Sequence, residues 1–495
     1  MSAQKDRTSA SAAPGAAQGG RATEKAALEG RQSHQAPEEF LALYDHVVTC
    51  GKCGFCQPAC PIFRATGREA NVARGKVALF RNIVEDRTQI GPDTTDAFAN
   101  CLLCRACTDT CFSAVKTDKV VISFRHAYAE RFGRGMLQRG VFRFLLPRPR
   151  LMRGLVKMVW GLRKTGLPDL ARRAGLIGLL NPKLERAMEL REGTPGPLLH
   201  TRFRRRRQEA AGAVAAVAKA RPLVGYWMSC GYNYVLPEVG EATVNVLERL
   251  GNRVEILDNC CCGMAAYGYG DLEAAADLAR ENLRRLGDLD RFDAIVSECG
   301  SCSGHLKEYA ELLAGDPEWV EKATLLGTKM RSFSEFVQER GGLPAGVPAA
   351  ASGTPTAACA PTDAADTRAA QGRKPIVITY HDPCHLGKRY QNVVAQPRQI
   401  LRSLEGYEFR EAAESDSCCG AAGTYGILHP ETSGAIVDRK TGFIKDTAAA
   451  VVATECPSCM MQLAYGLKRA GIDAEVVNIS QLCEAQLEGH SEVAE

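Results

Sequence analysis

The stretch from Cys50 to Pro61 has the sequence CGKCGFCQPACP, in which four cysteines follow the spacing Cys-x2-Cys-x2-Cys-x3-Cys. The same spacing recurs from Cys101 to Cys111 in the sequence CLLCRACTDTC. Thiols that lie this close together in sequence suit a shared metal centre better than long-range disulfide bridges. We therefore expect metal to organise this part of the chain and to supply much of its folding energy.

The bulk composition is that of a soluble globular protein. The chain has 495 residues, of which 45% are hydrophobic and 24% are charged. A chain of this length predicts roughly two to four domains. We find no signal-peptide pattern and no run of about 18 apolar residues that would predict a transmembrane helix. These features favour reduced thiols in the cytoplasm, with a peripheral position at the inner face of the cell membrane as the alternative.

The paired motifs resemble those of two-cluster bacterial ferredoxins, in which each run of cysteines supplies the fourth ligand of the other run's [4Fe–4S] cluster. A structural zinc site is the alternative, although zinc favours two separated Cys-x2-Cys pairs. Lys52 and Arg105 lie inside the loops, where they either favour the more negative reduced clusters or are solvated loop charges. The expected ligands are Cys50, Cys53, Cys56 and Cys111 for one cluster, and Cys101, Cys104, Cys107 and Cys60 for the other.

Ten further cysteines form two copies of one pattern in the C-terminal half. Each copy has a single cysteine, then a Cys-Cys-Gly sequence, then a Cys-x2-Cys pair after a gap of 36 residues. Between the copies the first cysteine shifts by 154 residues and the other four by 157, which indicates an internal duplication. The cysteines are Cys230, Cys261, Cys262, Cys299 and Cys302 in the first copy, and Cys384, Cys418, Cys419, Cys456 and Cys459 in the second.

Strand-like and helix-like segments alternate in both copies, which predicts parallel sheets covered by helices. The expected fold class is α+β multidomain, with an N-terminal α-helical two-cluster ferredoxin-like domain followed by two duplicated α/β units. The expected strands are Leu223–Met228, Arg253–Leu257, Asp293–Ser297, Ile376–Tyr380 and Ala449–Thr454. The expected helices are Glu39–Val48, Arg74–Val84, Met136–Leu146, Met152–Leu162, Val239–Leu250, Leu272–Leu286, Val394–Leu404 and Met460–Ala470.

Composition shifts along the chain predict six segments. These are a disordered tail at 1–37, the ferredoxin-like domain at 38–130, a basic helical connector at 131–221, the first unit at 222–341, a linker rich in Ala, Pro and Gly at 342–373, and the second unit at 374–488. Cys359 in the linker and Cys483 near the C-terminus are expected to be free thiols.

The connector carries most of the positive charge. The whole chain has a formal charge of +5, but the segment from Arg131 to Ala210 has 20 Lys and Arg against 5 Asp and Glu. Leu, Phe and Trp between these basic residues predict either contact with an anionic membrane or packing on the clusters or a partner subunit. Nucleic-acid binding by the run Arg202–Arg207 is not favoured, because no aromatic stacking platform accompanies it.

The combined pattern resembles the CCG-domain (cysteine-rich domain) iron–sulfur proteins, and most of all the iron–sulfur subunit of glycolate oxidase and its D-lactate dehydrogenase relatives. The resemblance rests on both motif pairs and on three local sequences, Cys53–Cys56, Ala73–Lys76 and His381–His385. It implies that the five cysteines of each copy are metal ligands that hold a non-cubane [4Fe–4S] cluster or a zinc. The first copy departs from the family pattern by an extra Cys260.

The resemblance also implies a separate flavoprotein subunit that oxidises a 2-hydroxy acid, and this chain would pass its electrons to quinone or another carrier. Gly268 and Gly270 form a lone Gly-x-Gly, so the chain has no FAD or NAD motif and is not expected to be catalytically complete alone. The alternatives are a glycerol-3-phosphate dehydrogenase-type subunit, a heterodisulfide reductase-like enzyme that needs substrate access to Cys418 and Cys419, and a zinc scaffold. His305 and His385 are candidate ligands or proton relays, although packing roles are favoured.

Overall fold

The computed structural model describes residues 36–191, 193–210, 221–343 and 374–488. The tail expected at 1–37 and the linker expected at 342–373 lie almost wholly outside these residues, and so does Cys359. Among the described residues, no helix is both long and apolar enough to cross a membrane.

The N-terminal domain is a cluster of short helices around an aromatic core. Phe98 stacks on Phe124 with ring centroids 3.8 Å apart, and Phe40 stacks on Phe80 at 4.2 Å. The expected helix at Glu39–Val48 is divided in two at Leu43, whereas the one at Arg74–Val84 begins one residue earlier than expected. The helices are Glu38–Ala42, Tyr44–Val48, Cys56–Ala59, Pro61–Thr66, Ala73–Val84, Pro92–Ala99, Ala106–Asp109 and Thr117–Phe132, with a 3-10 turn at Glu69–Asn71.

The connector is helical, as expected, and it packs against both C-terminal units, through Trp160 on the first and Arg186 on the second. Three of its helices have a proline in the first turn, namely Pro149, Pro168 and Pro182. Backbone N–H groups in the first turn have no partner within the helix, so a proline there costs no hydrogen bond. Trp160 donates its indole N–H to the carbonyl oxygen of Tyr234 at 2.9 Å. The connector helices are Met136–Arg139, Pro149–Lys164, Leu167–Arg173, Leu176–Leu180, Pro182–Glu189 and Leu199–Ala210, with a π-helical segment at Gly140–Leu145.

The first C-terminal unit contains a parallel sheet of four strands among the described residues. The strands are β1 (Leu223–Tyr226), β2 (Arg253–Ile256), β3 (Ala294–Ser297) and β4 (Met330–Ser332), in the order β2-β1-β3-β4. The helices of this unit are Cys230–Tyr234, Pro237–Arg249, Met264–Gly268, Leu272–Leu286, Gly300–Lys307, Tyr309–Leu312, Pro317–Lys329 and Phe333–Glu339.

The second unit repeats this topology. Its strands are β5 (Ile376–Tyr380), β6 (Tyr407–Phe409), β7 (Val451–Thr454) and β8 (Glu475–Asn478), in the order β6-β5-β7-β8, and all are parallel. Its helices are Ala395–Ser403, Tyr425–Leu428, Pro430–Asp446, Pro457–Arg469 and Ile479–Glu488. The matching strand orders confirm the expected fold class of two duplicated α/β units with parallel sheets.

The two units share one hydrophobic core. Val224 and Leu247 of the first unit belong to the same buried cluster as Ile378 and Leu401 of the second. The units also approach closely at Gly231, where a Cβ atom would lie 2.5 Å from the Cγ of Pro457. The duplication therefore folds into one body, in which the carboxyl ends of the central strands, where ligands bind in such sheets, lie near each other.

Candidate metal centres

The two N-terminal cysteine runs adopt the same loop. Lys52 and Gly54 have left-handed backbone angles in the first run, and so do Leu103 and Arg105 at the equivalent places in the second. Residues other than glycine rarely take this backbone conformation, and they keep it only where the surrounding structure requires it. The repeated loop shape indicates that each run curls around a common kind of centre.

The loops bring together the cysteine sets that the ferredoxin-like pattern predicts. One cavity is lined by Cys60 of the first run together with three cysteines of the second run. Another is lined by three cysteines of the first run together with Cys111, and Cys107 borders both cavities. Ligation itself stays a prediction, but Cys60 and Cys111 each lie with the other run, as expected.

The crowded thiols of the second set suit a bound cation. Burial raises the pKa of the Cys60 thiol to about 11, and burial and the neighbouring cysteines raise that of Cys107 well above its usual value. These thiols point toward one another and are costly to ionise without a positive charge nearby. A metal cluster would supply that charge and stabilise the thiolates. The residues present therefore fit the group that the motifs imply.

Two arginines fix the second run. Arg125 donates hydrogen bonds to the carbonyl oxygens of Phe98, Ala99 and Cys101, at distances between 2.8 and 3.1 Å. Arg105 forms ion pairs with Asp118 at 2.9 Å and with Glu308 of the first unit at 2.8 Å. The interpretation of Arg105 as a solvated loop charge is therefore wrong, because both acidic partners hold its half-buried side chain.

In the second unit, all five cysteines meet at the carboxyl end of the sheet. Cys456 directly precedes the helix Pro457–Arg469, and its pKa is lowered to about 7 because its thiolate accepts from Cys459. The Sγ atoms of Cys419 and Cys459 are 3.5 Å apart, and the thiols of Cys384 and Cys418 interact directly. Gly420, in the left-handed region at φ 87°, turns the chain after the cysteine pair.

The first unit makes the same arrangement with its own five cysteines. The thiol of Cys261 interacts with those of Cys230 and Cys262, and Cys302 joins Cys262 to Cys299. Gly263, at φ 92°, is the counterpart of the turning glycine in the second unit.

The extra cysteine of the first unit is turned away from this group. The thiol of Cys260 donates to the Oδ1 of Asn282 at 3.3 Å, and its own backbone N–H donates to the same oxygen at 2.9 Å. In this conformation Cys260 lies outside the series of thiol contacts that joins the other five cysteines.

A buried acid behind each Cys-x2-Cys pair was not predicted from the sequence. Tyr226 donates to Glu298 at 2.9 Å, and Tyr380 donates to Glu455 at 3.2 Å. Burial raises the pKa of Glu298 to about 8 and that of Glu455 to about 7. The signal was available, since both units have the sequence Glu-Cys-x2-Cys.

The candidate histidines have different surroundings. His385 has its Nε2 3.3 Å from the carbonyl oxygen of Leu103, so it lies against the N-terminal domain. His305 is buried beside the rings of Tyr267 and Tyr309. Neither is grouped with two thiols, whereas His381, which sequence reasoning used only as part of a motif, lies with Cys419 and Cys459.

The cysteine sets form a line whose order differs from the order of the chain. The thiol of Cys104 interacts with that of Cys418, which joins the ferredoxin-like domain to the second unit. The Oγ of Ser301 lies 3.8 Å from the Sγ of Cys456, which joins the second unit to the first. The cysteines of the second unit therefore adjoin those of both neighbours, although the N-terminal domain also contacts the first unit directly, for example through Arg105 and Glu308.

Exposure differs among the cysteines of the four sets. Cys53 and Cys230 are exposed, whereas the others are half-buried or buried. Cys418 and Cys419 are only 6% and 2% exposed. The access to these two thiols that a disulfide reductase would need is therefore absent from this conformation.

Comparison with known proteins agrees with this architecture. The model for the cysteine-rich domain matches residues 224–307 and 378–464, and the model for a 4Fe-4S dicluster domain matches residues 46–115. The linker-region model of the glycolate oxidase iron–sulfur subunit matches residues 133–190. The chain belongs to the cysteine-rich-domain iron–sulfur family. The matched domains of this family imply iron–sulfur clusters, and the expected resemblance is confirmed.

Relatives of the chain match either most of its length or a little over half of it. A probable glycolate oxidase iron–sulfur subunit from Bacillus subtilis is 28% identical over 90% of this chain and 95% of the relative. A lactate utilization protein A from Oceanobacillus iheyensis is 30% identical over 54% of this chain and 98% of the relative. Another lactate utilization protein A, from Shouchella clausii, is 29% identical over 53% of this chain and 99% of the relative.

Proposed function

We propose that this chain is the iron–sulfur electron-transfer subunit of a flavin-dependent 2-hydroxy-acid dehydrogenase that acts on glycolate or D-lactate. A partner flavoprotein would oxidise the acid, and this chain would carry the electrons toward quinone or another carrier. The names of the relatives support the substrate class, since they include a glycolate oxidase subunit and lactate utilization proteins. Iron–sulfur clusters held by the cysteine sets would supply the one-electron chemistry.

The contact between Cys104 and Cys418 carries this proposal. Cys104 of the N-terminal domain and Cys418 of the second unit are buried in one side-chain cluster and their thiols interact, although the two residues lie far apart in the sequence. The contact between Ser301 and Cys456 continues the line into the first unit. An unbroken series of cysteine sets suits a relay, whereas a zinc scaffold would not require its sites to touch.

The two exposed cysteines suit an entry and an exit. Beside Cys53, the rings of Phe55 and Phe112 pack edge to face at 5.0 Å and are 51% and 82% exposed. Exposed aromatic pairs are typical anchors of protein interfaces, so we assign the region around Cys53 to the flavoprotein. We assign the region around Cys230 to the electron carrier.

The connector supports a membrane-bound carrier such as quinone. Its helix Pro149–Lys164 exposes an apolar stripe and has three exposed basic residues on another side, and no acidic residue occurs from Gly133 to Pro168. The opposite face of the helix is fixed by the Trp160 hydrogen bond to Tyr234, near Cys230. The stripe consists of Leu151, Leu155, Met158, Val159 and Leu162, and the basic residues are Arg150, Lys157 and Lys164.

This arrangement is typical of a helix that lies in the surface of an anionic bilayer. The apolar stripe would enter the headgroup boundary, and the basic edge would meet the lipid phosphates. We therefore propose a peripheral membrane contact that holds the region around Cys230 close to the bilayer.

Electron delivery in the purified complex tests the function. The full chain would be isolated without oxygen together with its co-purifying flavoprotein, and the iron content should be about eight atoms per chain or more. With hydroxy acid as the reductant, Cys104→Ser should abolish delivery to a soluble quinone analogue and leave the flavin reducible by substrate. Normal delivery in this variant would remove the N-terminal sets from the path.

Cys483 offers a matched control. It is a fully buried thiol in the last helix and lies in none of the four cysteine sets. Cys483→Ser should therefore leave both iron content and electron delivery unchanged. Isolation of a colourless protein that contains zinc and no iron would contradict the proposal as a whole.

A further inference from the structure

His381 occupies a distinctive place in the second unit. It follows β5 directly, and its backbone N–H donates to the carbonyl oxygen of Ala453 in the neighbouring strand at 3.0 Å. In the first unit, Trp227 follows β1 and donates in the same way to Val296 at 2.9 Å. The two positions are structurally equivalent but carry different side chains.

The imidazole of His381 is buried without a polar partner. The residue is 1% exposed, and among the described residues neither ring nitrogen has a hydrogen-bond partner. A buried polar group that lacks a partner is costly, and native proteins almost always satisfy it. The unpaired nitrogen atoms therefore need an explanation at this site.

Two thiols lie next to the ring. One imidazole nitrogen and the Sγ atoms of Cys419 and Cys459 all lie within 4.8 Å of one another. The two sulfur atoms are 3.5 Å apart. Ligands that share one tetrahedral metal ion at bond lengths of about 2.0–2.3 Å lie roughly 3.5–3.8 Å from each other, so the spacing suits a common ion.

An imidazole nitrogen that carries no proton has the free lone pair that metal ligation requires.

We propose that His381 is a ligand of the metal centre in the second unit and binds through an imidazole nitrogen the same ion as Cys419 and Cys459. The centre would then have mixed nitrogen and sulfur ligands, which iron and zinc both accept. This inference needs a metal in the second unit but no flavoprotein partner, so it can fail or hold independently of the proposed function.

The first unit cannot build the same centre. The indole of Trp227 is a hydrogen-bond donor with no lone pair for a metal. His305, the buried histidine of that unit, lies against Tyr267 and Tyr309 and is not grouped with two thiols. The duplicated units would therefore hold chemically different centres, one with sulfur ligands alone and one with an added nitrogen.

A structure of the metal-loaded chain tests the bond directly. Crystals of the full chain grown without oxygen, with anomalous data at the iron and zinc edges, would locate and identify the metal. We expect a His381 nitrogen about 2.0–2.2 Å from a metal that Cys419 and Cys459 also bind. A separation above roughly 3 Å, well beyond a metal–nitrogen bond, or no metal near these residues, would overturn the proposal.

Two variants assign the nitrogen spectroscopically. For iron, the readout is nitrogen hyperfine coupling with ¹⁵N-labelled histidine; for zinc, it is the nitrogen contribution to the metal-edge absorption spectrum. His381→Cys should keep the metal because it offers a thiolate, and it should lose the nitrogen signal. His305→Gln, the matched control, should keep both. A nitrogen signal that survives His381→Cys, or that His305→Gln removes, would refute the assignment.

Discussion

Replacing Arg125 with methionine should loosen the loop that carries Cys101. The guanidinium is largely buried and donates to carbonyl oxygens of Phe98, Ala99 and Cys101, and at 2.5 Å to that of Gly268 in the first unit. It therefore holds the second cysteine run in place and joins it to the neighbouring unit. Methionine fills a similar volume but leaves all four oxygens without this donor.

The size of the effect follows from these bonds. A hydrogen bond to a charged group contributes about 1.5–3 kcal/mol, and a buried carbonyl left unsatisfied costs about 1–3 kcal/mol. Burial offsets part of the stabilisation from these hydrogen bonds, because it disfavours the charged guanidinium. For the same reason it lowers the pKa of Arg125. Because the groups left behind are neutral carbonyl oxygens and the desolvation cost of the guanidinium is also removed, we expect Arg125→Met to cost about 1–3 kcal/mol. Arg125→Lys should cost roughly half as much, since its ammonium reaches fewer of the oxygens.

Urea unfolding of the metal-loaded chain, followed by circular dichroism under anaerobic conditions, measures this loss. Iron analysis of the same samples should show that Arg125→Met releases metal at a lower urea concentration than the wild type. Arg410→Met is the matched control, because Arg410 pairs with Glu408 at the exposed surface. The reasoning would be refuted if Arg125→Met retained its iron and unfolded at the same urea concentration as the wild type.

Three further outcomes are expected. Leu155→Glu combined with Met158→Glu should weaken binding to phosphatidylglycerol vesicles at least about tenfold in co-sedimentation, because it puts charge into the apolar stripe; Leu428→Glu, outside the connector, should not. Burial raises the pKa of Glu484 to about 7. The wild type should therefore lose about 2 kcal/mol relative to Glu484→Gln as pH rises from about 4.5 to 7, so that the gap in melting temperature is wider at pH 8 than at pH 5. Cys260→Ser should retain the full metal content by elemental analysis, and loss of metal would place this thiol among the ligands.

Sequence periodicity predicted the long elements well. The helix at Leu272–Leu286 and the strand at Ile376–Tyr380 have the expected bounds, because many residues contribute to each pattern. The strands β4, β6 and β8 were not predicted. Each has only three or four residues, and pairing with a neighbouring strand, not local sequence, defines them.

The positions of the cysteine sets along the chain were predictable, but their arrangement in space was not. The spacing predicted that Cys60 lies with the second run, and the structure places it there. The contact of Cys104 with Cys418 depends on how separate domains pack, and no local pattern encodes such packing. Leu103 and Arg105 take left-handed angles that sequence reasoning assigns to glycine, so the repeated loop shape was also invisible in the sequence.

The contact between Cys104 and Cys418 has a consequence for how the protein is made. A growing chain folds its N-terminal domain first, and Cys418 leaves the ribosome only after some 300 further residues have been added. Any cluster assembled early would stay isolated from the C-terminal centres until nearly the whole polypeptide exists. An unfinished or truncated chain could thus hold reducing equivalents but could not discharge them along the line.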